Sequence, residues 1–215
     1  MPELTEPALH ALRGKFIVLD GPEGCGKSTQ SLLLGERLEA GGLCSLVVRD
    51  PGTTAIGEKI RCILLDPENR EMAMRCEMLL YMAARAQMML QTILPALTTG
   101  STVICDRFVS STLAYQLGGD GLTAEDIRAI ADVAIKGWWP DLTIILDMPS
   151  EAASARLKRG KDRIEQRSPQ YHERVRRNYL AQARNDPQRY RVINADRDIQ
   201  QVHNDIWQAV LSILK

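Results

Sequence analysis

The chain has 215 residues, and 27 lysines and arginines stand against 27 aspartates and glutamates, so its formal charge is zero. That balance argues against a broad electrostatic footprint for nucleic acid. With 45% hydrophobic and 25% charged residues, disorder of the whole chain is excluded. One domain able to bury its own core is expected, since single domains commonly run to about 250 residues.

The first 13 residues hold two prolines and two glutamates before their only arginine. A signal peptide needs a basic start and an apolar stretch. Residues 1–14 are therefore expected to form a loose leader ahead of a single domain over 15–215. No apolar run approaches the roughly 18 residues that span a bilayer, so the expectation is a cytoplasmic protein with no membrane partner. Cys25, Cys44, Cys62, Cys76 and Cys105 are widely spaced without a C-x-x-C pair, and His10, His172 and His203 lie far apart. Neither a disulfide framework nor a zinc site is suggested.

Five short apolar runs follow: 16–19 (FIVL), 45–48 (SLVV), 102–105 (TVIC), 142–146 (LTIIL) and 191–193 (RVI). The first four are nearly unbroken, as suits strands buried on both faces of a parallel sheet. Helical patterns lie between them. Segment 27–40 has leucine at 32, 33, 34 and 38 and stops at Gly41-Gly42. Segment 71–97 carries an apolar stripe through Met78, Leu79, Met82, Met89 and Ile93. Segment 123–136 opens on Thr123 as N-cap, with Asp126 three residues on, and stops at Gly137. Ser150 is expected to cap a helix running toward Arg159, and 199–214 places Val202, Ile206, Val210 and Leu214 at helical spacing. Strands alternating with helices imply right-handed crossovers and a three-layer α/β fold. Ligands in such sheets sit beyond the carboxyl ends of the strands, where 21–28, Asp50, Asp106 and Asp147 fall.

Gly21-Pro22-Glu23-Gly24-Cys25-Gly26-Lys27-Ser28 fits G-x-x-x-x-G-K-[ST] behind a strand and ahead of a helix, the context this motif requires. Glycines let the backbone curl so that N–H groups point at phosphate oxygens. The helix start adds about half a positive charge. Lys27 is expected to reach the β- and γ-phosphates and Ser28 to ligate Mg²⁺, with residues 21–29, through Thr29, seating ATP. No N-K-x-D sequence, by which switch GTPases read guanine, occurs. A kinase needs a second seat for an acceptor.

Arg49-Asp50-Pro51-Gly52-Thr53 follows the second strand and Asp106-Arg107-Phe108 the third. Glu77 to Arg85 (EMLLYMAAR) lies between them, and Asp162-Arg163-Ile164-Glu165 follows a basic segment. In these motifs, their order and their spacing, the chain resembles the bacterial thymidylate kinases from about residue 15 to its end. The resemblance implies a P-loop nucleoside monophosphate kinase fold: a five-stranded parallel sheet flanked by helices, with a mobile lid over about 156–168. The implied reaction converts ATP and dTMP to ADP and dTDP for dTTP synthesis, with Mg²⁺, in a homodimer.

The implied roles have physical reasons. Arg61 and Arg107 would hold the 5′-phosphate of dTMP, where a guanidinium fork matches phosphate geometry. Asp106 is similar to the family acid beside the magnesium ion. Tyr81 stands where the family stacks an aromatic ring on thymine, and Arg85, one turn on, would donate to a thymine carbonyl. Tyr115 resembles the residue that crowds the sugar 2′ position. Thr112 and Gln116 fall in the same segment, and Glu23 matches the carboxylate near the sugar 3′-hydroxyl. None of Pro22, Glu23, Gly24 and Cys25 is basic, so the cation at the transferring group is expected from the lid: Arg156, Arg159 or Arg163.

Two departures from the family pattern stand out. Asp50 replaces the usual glutamate, which shortens its reach by about one methylene, and Tyr81 replaces phenylalanine. Asp50 could also simply begin a turn with Pro51. The rival readings are a kinase of the same fold with a deoxynucleoside or uridylate acceptor, and a silent nucleotide-binding module. Arg61 and Arg107 argue for a phosphate-bearing acceptor over a nucleoside, and a panel of nucleoside monophosphates separates thymidylate from uridylate. Intact Lys27, Ser28, Asp106, Arg107 and lid basics argue against a silent module.

Overall fold

The computed structural model describes residues 6–156 and 162–214. In chain order, α1 (Glu6–Leu12) precedes β1 (Phe16–Asp20), α2 (Lys27–Ala40), β2 (Ser45–Arg49), α3 (Ala55–Leu65) and α4 (Met74–Met88). Then come α5 (Leu94–Thr98), β3 (Thr102–Asp106), α6 (Val109–Tyr115), α7 (Ala124–Ile135) and β4 (Leu142–Asp147). The chain finishes with α8 (Ser150–Ala155), α9 (Pro169–Asn185), β5 (Tyr190–Asn194) and α10 (Ile199–Ser212). All five strands are parallel in the order β2-β3-β1-β4-β5.

The unbroken apolar runs end up where two-sided burial is greatest. Every residue of β1 and β3 is buried. Successive side chains of a strand point to opposite faces, and β1 divides accordingly. Ile17 and Leu19 join Leu34, Leu38, Ile206 and Val210 beneath α2 and α10. Phe16 and Val18 join Met78, Met82, Ile127 and Ile135 beneath α4 and α7. A smaller cluster of Tyr115, Ile145, Val175 and Tyr179 lies under α9.

Local signals set several helix ends. The Thr123 hydroxyl accepts from Asp126 N while the Asp126 carboxylate accepts from Thr123 N, a capping box that starts α7. Pro95 stops the α-helical ladder from running uninterrupted through 71–97. Its ring nitrogen has no N–H and its ring crowds the carbonyl four residues back. The backbone widens to a π turn over Met89–Ile93, where Leu94 N donates to Met89 O, before α5 resumes.

Residues 6–12 are not the loose leader expected. They form α1, whose Leu12 is fully buried in the core beside β1. Thr102 Oγ1 donates to Leu12 O at 2.7 Å, and Gly14 N to Gly100 O at 3.2 Å, tying the segment to the start of β3. The helix from Ser150 ends at Ala155. Among the described residues, no helix is long and apolar enough to cross a membrane.

Candidate active site

The carboxyl ends of β1, β2 and β3 open into one cleft of about 360 Å³, within the size range of ligand pockets. The glycine loop forms one wall. Gly24 has φ +78°, and a Cβ there would lie 2.2 Å from Ala153 O, so backbone angle and packing both require glycine. Gly26, at φ +95°, turns the chain into α2. Lys27 is buried and reaches back across the loop, its Nζ donating to Pro22 O at 2.7 Å and Gly21 O at 3.3 Å. Ser28 Oγ donates to Asp106 Oδ2 at 2.5 Å, joining the start of α2 to the end of β3. Glu23, Gly24, Gly26, Lys27, Ser28 and Thr29 line the cleft. Cys25 is buried behind it, and burial pushes its thiol pKa up.

Opposite stands Arg107, a non-glycine residue at φ +73°. Its Nη2 pairs with Glu23 Oε1 at 2.6 Å, and its guanidinium lies 5.3 Å from the centre of the Tyr115 ring. Burial opposes its charge, but Glu23, Tyr115, Tyr179 and Asp20 outweigh that and hold its pKa well above the usual range. Arg61 also lines the cleft, and its Nη1 donates to Pro51 O at 3.1 Å. Burial, then the nearby Arg49, lowers its pKa.

Tyr81 and Arg85 both line the cleft from α4. Burial raises the Tyr81 pKa. Arg85 is 1% exposed and forks onto Asp50 Oδ2, with Nε at 2.7 Å and Nη2 at 2.6 Å. Nη2 also donates to Phe108 O at 3.1 Å, and Nη1 meets Thr112 Oγ1 at 3.3 Å and Met82 Sδ at 3.0 Å. The long bond to Thr112 and the bond to sulfur, a weak acceptor, are the ones a base carbonyl would displace most easily. Asp50 is as buried as Arg85, and its Oδ1 has no hydrogen-bond partner among the described residues. Burial raises its pKa against the pull of Arg85.

The three arginines expected to supply the cation fare differently. Arg156 lines the cleft, and its Nη2 pairs with Asp196 Oδ1 at 3.2 Å beyond β5. Arg159 lies outside the described residues. Arg163 is not at the cleft wall. It is buried, with Nε on Leu64 O at 2.8 Å and Nη2 on Glu77 Oε2 at 2.5 Å. Glu77 is fully buried and also accepts from Arg167 and Gln116, both at 2.8 Å. A buried carboxylate needs such compensation, and it is this need that draws Arg163 inward.

Sequence reasoning missed Asp20, Ser111, Glu77 and Tyr179. Asp20 was readable as a carboxylate ending a buried apolar strand. Tyr179 lies on α9, whose high polarity hid the helix, although Ser168-Pro169 marks its start: the Ser168 hydroxyl accepts from Tyr171 N.

A phosphate-cradling loop between strand and helix, faced across one cleft by an arginine-lined second seat on a parallel sheet, defines a P-loop nucleotide kinase. A family model described as thymidylate kinase matches residues 19–206. The thymidylate kinase of Pelotomaculum thermopropionicum is 46% identical over 206 residues, covering 94% of this chain and 95% of that one. That of Ectopseudomonas mendocina is 45% identical over 206 residues, covering 95% and 98%. The crystal structure of thymidylate kinase from Ehrlichia chaffeensis superposes with a TM-score of 0.74 at 30% identity, covering 91% and 97%. The chain belongs to the thymidylate kinase family, enzymes that transfer a phosphoryl group to dTMP and yield dTDP.

Proposed function

We propose that the two nucleotides meet end to end in this cleft. The ATP phosphates lie on loop 21–28 with Lys27, and the dTMP phosphate lies between Arg61 and Arg107. The observation that carries this reading is the convergence of Lys27, Ser28, Asp106, Arg61 and Arg107 on one cavity from four different elements and loops. Phosphoryl transfer asks for positioning and charge neutralisation more than covalent chemistry. The acceptor oxygen is already anionic, so no general base is required. Tyr81 and Arg85 face the base, with Thr112 and Gln116 beside them, Tyr115 crowds the sugar, and Asp50 orients Arg85. Glu23 leaves Arg107 for the 3′-hydroxyl when the phosphate takes its place.

Ser28 Oγ and Asp106 Oδ2 fit Mg²⁺, a hard cation bound through one or two protein oxygens plus substrate phosphates. When bound, it supplies charge neutralisation between the phosphates. All five cysteines are free, in keeping with a cytoplasmic location. The roughly half-exposed Ile56, Ile63 and Leu79 of α3 and α4 support a homodimer.

ADP formation by the purified protein with ATP and Mg²⁺ tests the reading. It is expected to depend on dTMP, to fall sharply with dUMP, dCMP or UMP, and to stop when EDTA removes the metal. Equal turnover of UMP would show that the cleft does not select the thymidylate base and sugar.

On this reading segment 156–168, of which 157–161 lie outside the described residues, is the lid, and Arg156, Asp162 and Ile164 of it line the cleft. Arg156→Ala is expected to lower kcat at least about tenfold, within the effect of an arginine at the transferring group, with little change in ATP affinity. Single-turnover kinetics and ATP titration separate the two. An equal loss in both would make Arg156 a donor-binding residue only.

A further inference from the structure

We propose that Asp20 and Tyr179, with Ser111, form a hydroxyl relay that fixes the Arg107 guanidinium in the orientation that receives the acceptor phosphate. This rests on the reading of Arg107 as an acceptor-phosphate group. Asp20 ends β1 with no exposed surface. Its Oδ1 accepts from Tyr179 OH at 2.6 Å, Ser111 Oγ at 2.7 Å and Gly21 N at 2.9 Å, and its Oδ2 from Ser110 Oγ at 2.6 Å. A carboxylate only accepts, and it is a stronger acceptor than a hydroxyl. Although the Tyr179 and Ser111 oxygens lie 2.9 Å apart, the carboxylate takes the single proton of each.

Only lone pairs then remain to face Arg107. Its Nη1 donates to both hydroxyl oxygens at 3.1 Å and to Gly21 O at 3.0 Å, and reaches Asp20 Oδ1 at 3.3 Å. Nη1 is thus fully engaged on the inner side, and Nη2 is left toward the cleft with Glu23 and the Tyr115 hydroxyl. The Arg107 backbone needs such restraint. A left-handed φ in an arginine persists only where its surroundings enforce it, and Arg107 N is also held by Leu19 O at 3.0 Å. The relay spans β1, α6 and α9. Arg176 of α9 forks onto Asp147 at the end of β4 at 2.7 and 2.8 Å. The helix that follows the lid therefore braces the acceptor seat. Asp20, Ser111 and Tyr179 are positioning residues, because they act through Arg107.

Tyr179→Phe removes one oxygen and keeps the ring beside Tyr115, 6.1 Å away. The dissociation constant for dTMP is expected to rise about tenfold, the scale of one hydrogen bond to a charged group, while thymidine, which lacks the phosphate, binds within about twofold of the parent. Ser111→Ala is expected to give the same phosphate-specific loss. An equal loss for dTMP and thymidine in both variants, or no loss for dTMP, overturns the relay. Arg107→Ala in the same titration separates the two levels of the argument. If it shows no phosphate-specific loss, the acceptor seat is misassigned and the relay falls with it. If it does and Tyr179→Phe and Ser111→Ala do not, the relay alone fails.

Discussion

Arg107→Ala is expected to lower kcat/KM for dTMP by about 10³, the scale of losing two charge-assisted hydrogen bonds to the acceptor phosphate. The substitution removes the cation that faces Glu23 and a side chain that joins the cleft to Asp20 and the hydroxyls around it. Folding is expected to survive, since Asp20 keeps Ser110, Ser111, Tyr179 and Gly21 N. Arg107→Lys should recover only part of the loss, because an ammonium restores charge without a planar fork. Steady-state kinetics of the three proteins at saturating ATP is the measurement. Equal rates for the lysine variant and the parent would show that charge alone suffices.

Arg85→Met is expected to destabilise the fold by about 3–5 kcal/mol, the usual cost of stranding one partner of a buried ion pair. Both side chains are 1% exposed, and Asp50 Oδ1 has no partner among the described residues, so without Arg85 the carboxylate keeps almost nothing there. Pairing the change with Asp50→Asn should recover most of the loss in a double-mutant cycle read by urea unfolding. Burial already raises the Asp50 pKa, and losing Arg85 raises it further. A carboxyl whose pKa is higher folded than unfolded binds protons more readily in the folded state, so lower pH favours folding. The deficit of Arg85→Met should narrow as the pH falls from 7 to 5. A deficit independent of pH would mean that packing, not stranded charge, is lost.

Legibility followed the range of the signal. The five strands, α2, the start of α7 and the phosphate loop were readable because period, caps and motif lie within a few neighbouring residues. The resemblance pointed to Arg61, Tyr81, Arg85 and Arg107 through short motifs, and the fold brings all four to one cleft. The leader was misread because nothing local shows that Leu12 finds a place beneath the sheet. Helix α9 was missed because it needs few apolar residues: only Val175, Tyr179 and Ala183 are buried along its 17 residues.

From its amino-acid order alone, this chain determined an α/β sheet and a glycine loop between strand and helix, because backbone torsion and side-chain period are properties of near neighbours. Tertiary structure alone decided which charges work in the cleft and which hold it together. Arg163 sits in a basic segment, yet it is drawn to Glu77, 86 residues away, because a buried carboxylate must be neutralised. Tyr179 meets Asp20 across 159 residues. Such pairings depend on which polar groups folding removes from water together, and no local pattern encodes that.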